Sequence, residues 1–263
     1  MVCAMAVALG LADSASTQAP APSVRSVVLA TSAATVGSGL PPGVPVPPAG
    51  SNQLVTVLVP SASSTSGVLR GWQRGPGGGW VSVLGPITVR VGTAGVGAAH
   101  EGLNRTPRGT FDLPSAFGRQ PNPGTRMPYR QVGTSDWWVS DPHSPSYNTY
   151  RHCAPGTCDF NESAGENLGR AGPSYDYAVV IGYNTAPVHP GAGSAFFVHV
   201  DAGAPSQGCV EVPRASAGSA ALAGSRPASP HHHRPGLTRH SPTAVPAGSG
   251  ATAVCLPCSP SAR

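Results

Sequence analysis

From residue 53 to residue 212, short runs of apolar and β-branched residues recur, each bounded by Gly, Pro, Ser or Asn. Runs of this kind predict strands and turns rather than helices. "QLVTVLVP" (53–60) predicts the first strand. "GVLRGWQRGPGGGWVSVL" predicts a hairpin, with strands at 68–74 and 80–84 and a turn at 75–79. "PITVRVG" (86–92) predicts a further strand, followed by others at 109–113, 136–141, 175–184 and 194–201. Helical spacing is almost absent; "NESAGENLGRAG" (161–172) has room for one short turn. The expected fold is mainly β and sandwich-like, a single domain over residues 53–214 with little helix.

Composition sets the limits of that domain. The chain has 263 residues, 34 of them glycine and 30 proline, no lysine, and a net charge of +5 carried by arginine. The arginines are scattered singly, without the basic stripe and interleaved aromatics of a nucleic-acid surface, so no nucleic-acid partner is expected. Residues 1–18 hold a short apolar run and then small residues, which predicts a secretory signal, with a disordered N-terminus as the alternative, and a secreted or wall-associated protein. No run approaches the ~20 apolar residues of a membrane span. Residues 19–52, with "GLPPGVPVPPAG", predict an extended linker. Residues 215–263 lack Phe, Tyr, Trp, Ile, Met, Asp and Glu, and predict a disordered tail. The change of character is abrupt, as a shifted reading frame near Ala215 would produce.

The chemistry concentrates in "AFFVHVDAGAPSQGCVEVP" (195–213). Alternation puts Phe196, Val198 and Val200 on one strand face, and Phe197, His199 and Asp201 on the other. A glycine-bearing loop then leads to Cys209. A glycine before a nucleophile frees backbone N–H groups to face an oxyanion, and an imidazole within reach turns a thiol into a thiolate. His199 and Cys209 are thus candidate base and nucleophile; a packed histidine beside an inert buried thiol is the alternative. Asp201 or a main-chain carbonyl is expected to orient His199. Cys153 and Cys158 in "HCAPGTCDF" read most simply as a disulfide, with a metal site involving His152 as the rival. Cys255 and Cys258, and His231 to His233, fall in the tail and carry no assigned role. Of Trp137 and Trp138, one is expected in the core and the other beside a groove. Asn161, Glu162 and Glu166 read as a solvated helix start, with a cleft-lining role as the alternative.

The segment "GSAFFVHVDAGAPSQGCVEVP" resembles the catalytic domain of the L,D-transpeptidases, bacterial enzymes that remodel peptidoglycan through a His and a Ser/Thr-x-Gly-Cys signature. "RTPRGTFDLPSAFG", "DWWVSDPHSPSYNTY" and "YDYAVVIGYN" are similar to upstream parts of that domain, so the likeness spans about residues 53–213. The resemblance implies Cys209 as nucleophile, His199 as base, and the Gly208 and Cys209 N–H groups as the oxyanion site, with Ser206 and Gln207 opening the motif. It implies a thioester with a donor stem peptide and transfer to an amine on another stem, without metal or cofactor, and acylation by carbapenem-type inhibitors. An L,D-carboxypeptidase using water, or an inactive wall-binding remnant, are the alternatives. Glu211 stands where many members carry Arg or Asn, and Gln207 where many carry His. The family's usual helix and final strand after the cysteine are not expected from residues 215–263.

Overall fold

The computed structural model describes residues 39–41, 44, 45, 47, 49–217 and the backbone of 251–256. The expected signal, most of the linker, and residues 218–250 and 257–263, with the tail histidines and Cys258, lie outside the described residues. The described part is mainly β. Strand β1 (Gln53–Leu58) pairs antiparallel with β2 (Ser66–Arg74), and β2 with β3 (Trp80–Arg90). Two strands were expected between residues 80 and 92. The backbone instead runs through as one, absorbing "GP" by a register shift near Gly71. Gly85 makes this possible: at φ +87° a Cβ would lie 2.5 Å from the Leu69 carbonyl oxygen, which only glycine avoids.

Two short pieces, β4 (Val96–Gly97) and β5 (Thr106–Pro107), pair with each other. The chain then forms β6 (Gly109–Leu113), β7 (Ala116–Gly118) and β8 (Tyr129–Gln131). An excursion builds a small sheet from β9 (Asp136–Trp138), β10 (Tyr150–His152) and β11 (Glu166–Asn167), with a 3-10 turn at Glu162–Ala164 and a second at Gly172–Tyr175. Strands β12 (Ala178–Val180), β13 (Phe197–Val200) and β14 (Val210–Val212) follow. A helical turn opens at Arg214.

The tail expectation needs correcting at one place. Residues Ala251–Leu256 form β15, parallel to β1 and antiparallel to β6. A 49-residue composition poor in aromatics concealed a six-residue run, "ATAVCL", whose backbone can fill the gap between two strand edges. A final strand is therefore present.

The large sheet runs β6-β15-β1-β2-β3-β14-β13-β12-β7-β8. β14 meets β3 through one residue pair, Glu211 with Arg90, so the sheet is hinged there into two halves. The halves enclose one core: Val55, Val57, Leu69 and Val89 from the first, and Val179, Val198, Val200, Val210 and Val212 from the second. Burying each such side chain contributes about 1.5–3 kcal/mol. This doubling-over is the sandwich-like arrangement. The outer face of the second half carries another cluster, with Phe117, Ala178, Val180, Phe197 and Cys209, roofed by Trp138, Leu168 and Tyr175 from the excursion. The end of the expected linker also contributes, since Leu40 and Val44 pack on Leu54 and Trp80.

Candidate active site

β13 lies between β12 and β14, and all four of its residues are buried. Its alternation is the one expected: Phe196, Val198 and Val200 join the inner core, while Phe197 packs in the outer cluster. β13 and β14 are parallel, with Val198 opposite Val210 and His199 opposite Glu211. Cys209, one residue before β14, comes alongside Phe197, whose N–H reaches its Sγ at 3.4 Å. His199 and Cys209 therefore fall on one face of adjoining strands, two residues apart in register.

The histidine is 5% exposed. Its Nδ1 donates to the Val200 carbonyl at 2.8 Å, which leaves Nε2 as the unprotonated nitrogen, 4.0 Å from Glu211 Oε1. Asp201 is engaged elsewhere, by Arg90 Nε at 3.1 Å to each oxygen and by the Gly203 N–H at 2.7 Å. Of the two expected orienting groups, the main-chain carbonyl holds the ring. The Tyr175 ring packs edge-on against the imidazole at 5.2 Å. Burial lowers the His199 pKa, against the Val200 contact and the Asp201 charge, so the ring is neutral at pH 7.

Cys209 is buried and unbridged, and Cys153 and Cys158 form a disulfide. That bond removes the metal alternative for the pair. The sulfur donates to the Ala195 carbonyl at 3.4 Å. Burial raises the thiol well above its ordinary range, and Glu166 and Glu211 raise it further. The resting group is a neutral thiol, because desolvation and two carboxyls hold its proton on sulfur.

The loop before Cys209 is pinned by Ser206. Its N–H donates to the Val91 carbonyl at 3.1 Å, and its carbonyl accepts from Thr93 N–H at 2.8 Å. Its hydroxyl donates to the Cys209 carbonyl at 2.6 Å and accepts the Gly208 N–H at 3.0 Å. The Gly208 N–H, expected at the oxyanion site, here donates to the Ser206 hydroxyl. Gly208 sits at φ +137°, where a Cβ would lie 2.6 Å from the Phe196 ring. Gln207 is exposed.

Asn148, which no local signal in the sequence marks, belongs to the site. Asn148 accepts the Trp138 indole N–H at 2.8 Å and the Ala195 N–H at 3.2 Å, and donates to the carbonyls of Tyr183 (3.1 Å) and Asn184 (2.7 Å). It thereby holds Ala195, at φ +56°, under the thiol. Glu166, assigned by default to a solvated helix start, lies in β11 and accepts the Tyr175 hydroxyl. Burial raises its carboxyl to about 7, against the Tyr175 bond and with help from Glu101. Asn161 and Glu162 do belong to a short turn, with Asn161 capping Ser163. Glu211 is 3% exposed, and Oε1 lies 4.0 Å from His199 Nε2. His152 is exposed and pairs with Asp136 at 2.9 Å.

Trp137 and Trp138 both go inward. Trp137 packs on Phe160 near the disulfide. Trp138 also lines a cleft of about 250 Å³ with Phe117, Tyr129, Arg130, Tyr150 and Leu168. Phe117 and Trp138 each pack edge-on against Phe197, at 5.0 and 5.2 Å, so one aromatic layer separates this cleft from the sulfur. Among the described residues no helix is long and apolar enough to cross a membrane. No family model, curated protein or solved structure matches the chain.

Proposed function

We propose that the protein is a cysteine acyltransferase of the L,D-transpeptidase type, acting outside the cytoplasm on peptidoglycan stem peptides. One observation carries the reading: an unbridged thiol and a neutral imidazole, with Nδ1 tethered and Nε2 available, share one face of adjoining parallel strands. The sequence resemblance to that family supplies the substrate class.

In this reading Sγ bonds to the carbonyl carbon of the third stem residue while its proton passes to His199 Nε2. The C–N bond to the terminal D-alanine then breaks, and the imidazolium returns the proton to the leaving amine. An acceptor amine attacks the thioester, gives its proton to Nε2, and the proton ends on sulfur. Because both partners rest uncharged, proton transfer accompanies attack rather than preceding it. The loop at Ser206 must release the Gly208 N–H for it to serve an oxyanion. Water as acceptor would make the same site a carboxypeptidase.

Incubation with a carbapenem followed by intact-mass measurement tests this. A covalent adduct that disappears in Cys209→Ala is the expected result. A folded protein that gains no mass would overturn the reading in favour of an inert wall-binding remnant.

A further inference from the structure

Glu211 is the one buried carboxyl in the site with an orphaned atom. Its Oε2 has no hydrogen-bond partner, its Oε1 lies 4.0 Å from His199 Nε2, and the side chain is 3% exposed. Such a group is costly unless something in the working cycle uses it. The parallel register places it directly across from His199, on the same face as Cys209. The imidazole's other nitrogen is already occupied by the Val200 carbonyl, so any positive charge gained at Nε2 develops toward this carboxyl.

We propose that Glu211 is a positioning residue whose carboxylate supplies the counter-charge for the His199 imidazolium formed as the Cys209 proton reaches Nε2. This rests on the acyl-transfer reading for its purpose, but not for its geometry. The proton moves from Sγ to Nε2, sulfur keeps the electron pair, and Glu211 stays ionised throughout. The other groups facing Glu211 cannot take its place. Arg90, opposite it on β3, is held by Asp201. Asp201, at the end of β13, is itself anionic and pushes the Glu211 carboxyl up. Tyr175 and Cys209 are neutral and raised by burial. Burial first, then Asp201, brings Glu211 to about 7, against the Ala202 N–H and Arg90, so the carboxylate is present on the alkaline side of neutrality.

The test is Glu211→Gln, which keeps shape and removes charge. Ring-labelled histidine NMR follows the His199 titration, assigned with His199→Asn, and carbapenem acylation is timed across pH 6–9. In the parent protein His199 should titrate as a coupled pair. In Glu211→Gln it should titrate in one step with a midpoint lower by about one unit or more. Acylation at pH 8 should slow about tenfold, and Glu211→Asp should recover part of the rate. Identical His199 titrations in parent and variant would overturn the proposal even if Cys209 is acylated normally. Failure of Cys209 to acylate in the parent would instead remove the acyl-transfer reading, leaving the His199–Glu211 coupling measurable by NMR.

Discussion

His199 and Cys209 depend on residues that contact them from far along the chain. Asn148 is the clearest case, with four bonds from one buried amide and a 47-residue separation from Ala195. Asn148→Ala would leave at least two buried groups without partners, at about 1–3 kcal/mol each. The expected outcome is a loss of about 2–4 kcal/mol in urea unfolding, with slower Cys209 acylation as Ala195 drifts. Gly208→Ala should also destabilise by about 2 kcal/mol or more, through strain and contact with Phe196; unfolding midpoints measure it. The His–Cys pair was legible because strand alternation and a ten-residue spacing are local. Asn148, Glu166 and Glu211 were not, because what they touch is set by pairings between distant segments.

The disagreements among elements have physical causes. A glycine-proline step normally ends a strand, yet β3 passes through residues 85 and 86 because β2 shifts register beside it. β15 shows the same lesson in a longer form: composition averaged over 49 residues lost a short strand that needs an existing edge on each side. Ending the chain after Gly250 should therefore uncover the β1 edge. Hydrogen exchange is expected to show faster exchange for β1 amides in the shortened chain, and unchanged exchange would remove β15 from the sheet. The disulfide belongs to this scale as well. It closes a six-residue loop against Trp137 and Phe160. Loop-closure entropy assigns it about 2 kcal/mol, so Cys153→Ala/Cys158→Ala should lower thermal stability by that order without changing carbapenem acylation.

Across the whole molecule, the site leaves a mark on stability. Glu166 and Glu211 both have carboxyls raised to about 7 by burial. A raised carboxyl favours the folded state at low pH, where both states are protonated. That advantage is lost as pH climbs from the ordinary glutamate value of about 4.5 through 7. Asp201 works the other way, being held low by Gly203 and Arg90 against its own burial, and its contribution is lost only in acid. Relative to the parent, Glu211→Gln should therefore gain stability between pH 5 and pH 8. Melting curves at several pH values measure the difference; a constant offset would mean that Glu211 titrates as it does when unfolded.

The amino-acid order alone determined the mainly-β class, the strand faces around His199, the disulfide, and the unbridged thiol of Cys209 beside that strand. Those follow from alternation and spacing, which act within a few residues. Tertiary structure decided what the thiol and imidazole experience: a neutral resting pair, a tethered Nδ1, a loop N–H spent on Ser206, and Glu211 facing Nε2. These depend on desolvation and on contacts between segments tens of residues apart. Neither can be read until the two halves of the sheet close on each other.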